Sequence, residues 1–254
     1  MGKQGRTWIL IRGLAHEAAH WMKFYDVMRS RMPADNIHRV DLLGTGVHHR
    51  ETSPLYIEEL TQRAREDALK IADPPYFLLS LSMGSMVAYD WERKFSKDVE
   101  GLILMNPSFR NFSPFYQRLR WQIYPDLISS TFSRDPVERE KRILRIISQN
   151  KEKHEEAAKI RVKIREQRPV TLVNMVRQTI ASSLYAAKDG APEAPTLLLS
   201  GAGDHMVDPK CSKEIAKAWK IPHRIHPWAG HNLTLDDPEW VIESILEWLS
   251  ENDL

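Results

Sequence analysis

Phe77-Leu78-Leu79-Ser80-Leu81-Ser82-Met83-Gly84-Ser85-Met86 runs from an aliphatic strand pattern straight into a helical one, with Ser82 at the junction. A strand that becomes a helix within about one residue forces the junction residue into a strained backbone conformation. Large side chains two positions to either side would then collide. Here both flanking residues, Ser80 and Gly84, are small. The S-x-S-x-G spacing nearly matches the G-x-S-x-G elbow that holds a nucleophilic serine above a sheet. The alternative is an ordinary strand-to-helix turn in which Ser82 caps the helix.

Outward from this junction, short aliphatic runs alternate with helical patterns. The expected strands are Thr7–Ile11, Ile37–Leu42, Tyr76–Leu81, Gly101–Met105, Thr196–Ser200 and His223–His226. Most are apolar on both faces, as parallel strands buried between two helical layers should be. Ile57, Leu60, Ala64, Ala68 and Ile71 recur at helical spacing in a charged segment. Near the C-terminus, Asp237 is the expected N-cap, Pro238 the first helical residue, and Val241, Ile245, Trp248 and Leu249 the inward stripe. The pattern predicts an α/β fold with a doubly wound, mainly parallel sheet of about six strands and right-handed crossovers.

One interval departs from the alternation. Residues 107–190 carry helical patterns and no convincing strand, and hold 17 Lys and Arg against 9 Asp and Glu. That is an excess of 8, which leaves −6 for the rest of a chain of net charge +2. So long a helical insertion between two strands reads as a cap rather than a loop. The division is then a core of 1–106 and 191–254, and a cap of 107–190. A separate helical domain is the other possibility. A basic helical surface is commonly only solvated; the alternative is that it attracts an anionic group.

A serine needs an imidazole to take its proton and a carboxylate to orient that imidazole. Both types follow later strands. After Leu197-Leu198-Leu199-Ser200 comes Gly201-Ala202-Gly203-Asp204, with Asp208 four residues on as a rival acid. After the last strand comes Trp228-Ala229-Gly230-His231-Asn232. Each residue alone is an unremarkable loop residue. In the order Ser, Asp, His, each at a strand end, they form a candidate triad.

With these residues in place, the chain resembles the α/β-hydrolase superfamily, of the capped kind related to serine esterases and lipases. The resemblance spans most of the sequence and weakens inside the cap. Arg12-Gly13-Leu14 ahead of Trp21 is similar to the family's H-G-x…W segment, and Asp41-Leu42-Leu43-Gly44-Thr45-Gly46 to its D-x-x-G-x-G turn. Arg12 stands where the family usually has His, and Ser80 where it has Gly. The resemblance implies that Ser82 is the nucleophile, His231 the general base, Asp204 its partner, and the backbone N–H groups of Leu14 and Met83 the oxyanion hole. It implies a serine hydrolase acting on an ester or thioester through an acyl-enzyme, with no cofactor. Leu14 and Ser82 must converge, so the first and third strands must be neighbours, in the sheet order 2-1-3-4-5-6. The same triad also serves amide or carbon–carbon cleavage, and a silent binding protein could keep the fold.

Other features narrow the classes. The chain has 254 residues, 42% hydrophobic and 28% charged, with eight Trp, which suits one folded α/β unit. No apolar run approaches the ~18 residues of a spanning helix, and no targeting segment is evident. A net charge near zero argues against a dedicated nucleic-acid binder. Cys211 is the single cysteine, which excludes an internal disulfide framework and suits the cytoplasm. His48-His49 and His16…His20 are metal-ligand types read here as solvent-facing or cap-facing, so no metal is expected, and Met83 and Met86 read as packing residues. Phe109, Phe112 and Tyr116, with Phe115, Trp121 and Tyr124, are the candidates to line an apolar acyl pocket; alternatively they dock the cap on the core. The expected partner is a small ester-like molecule.

Overall fold

In the computed structural model, which describes residues 5–254, strand and helix alternate from the start. The order is β1 (Thr7–Ile11), α1 (Met22–Arg31), β2 (Asn36–Val40), α2 (Ile57–Leu69), β3 (Tyr76–Leu81), α3 (Met83–Lys94) and β4 (Val99–Met105). Five helices follow: α4 (Phe115–Arg118), α5 (Tyr124–Thr131), α6 (Pro136–Ile147), α7 (His154–Gln167) and α8 (Leu172–Leu184). The alternation then resumes with β5 (Thr196–Gly201), α9 (Lys210–Trp219), β6 (His223–His226), α10 (Leu233–Asp236) and α11 (Pro238–Glu251).

The six strands form one sheet in the order β2-β1-β3-β4-β5-β6, and every pairing is parallel. β1 and β3 are neighbours in the register Ile11 opposite Ser80, so the chain leaving β1 and the Ser82 turn emerge side by side. The strand order reverses between them, which opens a crevice at the carboxyl ends.

Side chains alternate across each strand, and the two sets fall into two cores. On one face Ile9, Leu78, Leu102 and Leu198 pack with Leu60 of α2, Val87 and Trp91 of α3, and Ile215 of α9. On the other, Trp8, Leu10, Phe77, Leu79, Ile103 and Leu197 pack with Phe24 and Met28 of α1 and Val241, Ile245 and Trp248 of α11. Each fully buried Leu, Ile or Phe contributes about 1.5–3 kcal/mol relative to exposure. The N-cap of α11 is as read from sequence: the Asp237 carboxylate accepts from the Trp240 N–H at 3.1 Å, with Pro238 in the first turn.

β2 ends at Val40, two residues before the expected Leu42, because Asp41 leaves the ladder. Its carboxylate accepts from the N–H groups of Ala18 (2.6 Å) and Val47 (2.9 Å), pinning the two loops after β1 and β2 together. α6 and α7 form a smaller core of their own, with Leu144 and Ile147 against Ala157 and Ala158. Among the described residues no helix is long and apolar enough to cross a membrane.

Candidate active site

Ser82 sits at φ 57° and ψ −119°, a left-handed conformation that costs a residue with a Cβ about 1–3 kcal/mol. Its side chain makes no capping bond to α3, which removes the N-cap reading of this serine. The small neighbours have separate reasons. A Cβ on Gly84 would stand 2.5 Å from the Ile11 carbonyl oxygen and 2.8 Å from that of Arg12, so only glycine lets α3 rest on β1. At the other position the side chain is tolerated: the buried Ser80 hydroxyl donates to the Ile103 carbonyl of β4 at 3.0 Å.

His231 and Asp204 come from the loops after β6 and β5. Asp204 Oδ2 lies 2.7 Å from His231 Nδ1, and both side chains are buried. A carboxylate only accepts, so Nδ1 carries the proton and Nε2 is left as the acceptor. The other oxygen, Oδ1, accepts from the N–H groups of Met206 (2.8 Å) and Val207 (2.9 Å), which fixes the carboxylate plane. Asp208 is elsewhere: its Oδ1 accepts from the Lys210 N–H at the start of α9.

One cavity of about 180 Å³ brings Ser82 and His231 together with Gly13, Leu14 and Met83. Gly13 packs against the Ser82 turn, where an added Cβ would stand 2.9 Å from the Leu81 carbonyl oxygen and 3.1 Å from the Ser82 Cβ. Met83 opens α3, where the first N–H groups lack intrahelical acceptors. The far wall is mostly apolar and includes Met86, Phe115, Leu119, Ile123, Leu127 and Val207.

Of the residues expected to line an acyl pocket, Phe109, Phe112 and Tyr116 stand outside this wall. Phe109 is fully buried against Tyr89 and Trp219, and Phe112 meets Trp219 edge-on at 5.6 Å. Tyr116 is 64% exposed. Phe109 and Phe112 precede α4 and dock on the core, whereas adjacent Phe115 and Tyr116 diverge on α4 as neighbours on a helix do, and of the two only Phe115 lines the cavity.

Several residues that carry no motif hold the site in place. Asn106 (φ 45°), just past β4, donates from Nδ2 to the His231 carbonyl at 2.8 Å and accepts from the Gly201 N–H at 3.1 Å. Asp236 accepts from the Gly230 N–H at 2.6 Å and from the Ser148 hydroxyl between α6 and α7. The loop carrying Leu14 is held from α7 and α8. The Ala15 N–H donates to Gln178 Oε1 at 2.8 Å, and His16 Nδ1 donates to the Leu14 carbonyl at 2.8 Å. His16 Nε2 then accepts from Arg161 Nη1 at 2.9 Å, and Arg161 pairs with buried Glu140. Several of these partners lie 88 to 163 positions apart in sequence, so only the fold reveals them.

Electrostatics in this region are dominated by burial. Burial, then the charge of Arg161, pushes His16 well below the usual imidazole range. His20 is pushed down in the same way by burial and by His16. Burial would raise the Glu140 carboxyl, but Arg161 and Arg165 outweigh it and hold it below its ordinary value. Burial, followed by Arg161, brings the Arg12 guanidinium down to about 9. His16 and His20 do not share one helix, since the 3-10 turn begins at Ala18. His48 bonds Glu51 and Asp67, each at 2.7 Å. Among the described residues no cluster of three His, Cys, Asp or Glu is placed to hold a metal.

The sequence matches the family model of the serine aminopeptidase S33 group of hydrolases over residues 49–236. The chain belongs to this α/β-hydrolase family. A search of curated proteins returns no match. Among solved structures, the hydrolase is similar to a thermophilic esterase from Thermogutta terrifontis (21% identity, 98% of this chain and 90% of that one, TM-score 0.67). It is also similar to an esterase from Rhodococcus sp. ECU1013 (16% identity, 97% and 90%, TM-score 0.73). An enol-lactonase from Burkholderia xenovorans LB400 matches at 18% identity over 97% and 92% of the chains, with a TM-score of 0.74. At these identities the likeness is one of fold, shared by proteins whose chemistry differs.

Proposed function

We propose that this hydrolase cleaves an ester or thioester bond through an acyl-enzyme on Ser82. One observation carries the reading. A serine in a strained turn, its hydroxyl not used for capping, shares a cavity with an imidazole whose Nδ1 is tied to a buried carboxylate. In this reading His231 Nε2 takes the Ser82 proton as Oγ attacks the carbonyl carbon, and Asp204 stabilises the imidazolium. His231 returns the proton to the leaving alcohol or thiol, and water then releases the acid by the same route. The N–H groups of Leu14 and Met83 receive the oxyanion, where such donors contribute on the order of 3–4 kcal/mol each.

Residues 107–190 act as the cap. α4 and α5 supply Phe115 and Leu127 to the cavity wall, and the turn between these helices supplies Ile123, giving an apolar seat for an acyl group. The lone Cys211 is buried and unpaired, which supports a reducing compartment such as the cytoplasm.

A fluorophosphonate probe and a series of p-nitrophenyl esters of increasing chain length test the reading. The unaltered protein should be labelled and should turn over esters; Ser82→Ala should lose both with an unchanged circular dichroism spectrum. Labelling that persists in Ser82→Ala, or an unaltered protein inert to probe and esters alike, would overturn it.

A further inference from the structure

Arg12 stands where the superfamily usually has histidine, and its surroundings do not account for its charge. It is 2% exposed and forms part of the cavity wall next to Gly13, Leu14 and Ser82. Its Nη1 reaches only two neutral oxygens, Asn232 Oδ1 and Thr234 Oγ1, each at 3.4 Å, and the buried Nε has no acceptor. The guanidinium lies 4.8 Å from the centre of the Trp21 ring, a weak substitute for an anion. Among the described residues it has no ion pair. The nearby cations have firmer partners: Arg161 is paired with Glu140, and Arg118, which also lines the cavity and has no ion pair among the described residues, donates to the Ser182 and Ser183 carbonyls at the end of α8 at 2.5 and 3.1 Å. None of the described residues lining the cavity is Asp or Glu. A buried guanidinium without a carboxylate is costly, and it is most useful where a ligand supplies the missing partner.

We propose that the substrate carries a carboxylate and that Arg12 binds it, with the scissile carbonyl lying toward Ser82. A planar carboxylate matches the fork of a guanidinium, and the rest of the cavity wall is mostly apolar and carries no acid. The chemical class is a half-ester of a dicarboxylic acid, or an ester of a hydroxy acid. The inference rests on the preceding reading only for which bond breaks; binding of the anion does not depend on it.

Two measurements test it. First, isothermal titration of the Ser82→Ala protein, which cannot turn over in that reading, with succinate, monomethyl succinate, inorganic phosphate and neutral succinamide. The carboxylates should bind, the amide should not, and phosphate should be weaker. Arg12→Gln, which keeps a polar group facing Asn232 and Thr234, should weaken the carboxylates about 10- to 100-fold, the range of a hydrogen bond to a charged group. Arg12→Lys should fall between. Second, the ratio of kcat/KM for the p-nitrophenyl half-ester of succinate to that for p-nitrophenyl butyrate should drop by a similar factor in Arg12→Gln. A purely structural role would lower both rates together and leave the ratio alone. Equal binding of succinate and succinamide by the protein with Arg12 intact, or an unmoved ratio, overturns the proposal. Carboxylate binding lost in Arg12→Gln, with no ester turned over by the unaltered protein, would instead strike the ester reading and leave the anion site standing.

Discussion

Replacing Asp204 by Asn changes one atom of the carboxylate that faces His231 and leaves its size unaltered. Oδ1 accepts two backbone N–H groups, from Met206 and Val207, while Oδ2 faces His231 Nδ1 at 2.7 Å. An amide has one acceptor and one donor end. Turned with its NH2 toward the two backbone donors, it would face three donors with no acceptor between them. It therefore keeps its oxygen on Met206 and Val207 and presents NH2 to Nδ1. The imidazole must then carry its proton on Nε2, the tautomer that cannot accept from Ser82. The expected loss in kcat is about 10⁴-fold, or ~5.5 kcal/mol in the barrier, with binding of substrate little changed. The assay is steady-state hydrolysis of a p-nitrophenyl ester, with circular dichroism to show that the fold is kept. Asp208→Asn is the control. The amide keeps an oxygen to accept from the Lys210 N–H at the start of α9, so stability should change by less than ~1 kcal/mol and turnover should stay near that of the unaltered protein. A folded Asp204→Asn protein within about tenfold of full activity, or an Asp208→Asn more damaging than Asp204→Asn, would refute the assignment of the acid.

Restoring the family residue with Ser80→Gly should remove the bond to the Ile103 carbonyl and loosen β3, lowering stability by about 1–2 kcal/mol while turnover persists. Thermal melting should show a Tm drop of about 2–4 °C for each kcal/mol, and a higher Tm would mean that Ser80 is strained. Acid should begin to destabilise the fold as the pH falls through the ordinary imidazole range. His16 and His20 are held neutral, with folded values well below 6.5, so the unfolded chain binds more protons and stability falls as pH drops below about 6.5. Each contributes a slope of up to about 1.4 kcal/mol per pH unit, and His16→Gln should flatten the Tm profile between about pH 6.5 and 5; an unchanged profile would show that His16 titrates freely.

The strand order followed from the family resemblance, whereas the two-sided burial of β3 and the placing of Ser82, Asp204 and His231 at strand ends were legible in the residues themselves. They are products of local rules: aliphatic runs, small residues beside a tight turn, and loops following strands. Asp204 was preferred to Asp208 on the register that the family resemblance implies; the 2.7 Å contact with His231 requires the fold. The aromatic residues 109–124 show the limit. Composition marked them as apolar, yet whether each docks, lines the cavity or meets solvent depends on which way the chain from β4 into the cap turns it. Asn106, Asp236, Gln178 and the Glu140–Arg161–His16 chain left no sequence signature, because any polar residue can serve such a role once a distant loop is brought within hydrogen-bond reach. Charge followed the same division. The sequence alone determined that residues 107–190 are basic by 8 charges. Tertiary structure decided that the Arg12 guanidinium is buried without an anion, because desolvation depends on what surrounds a group in space and not on its neighbours in the chain.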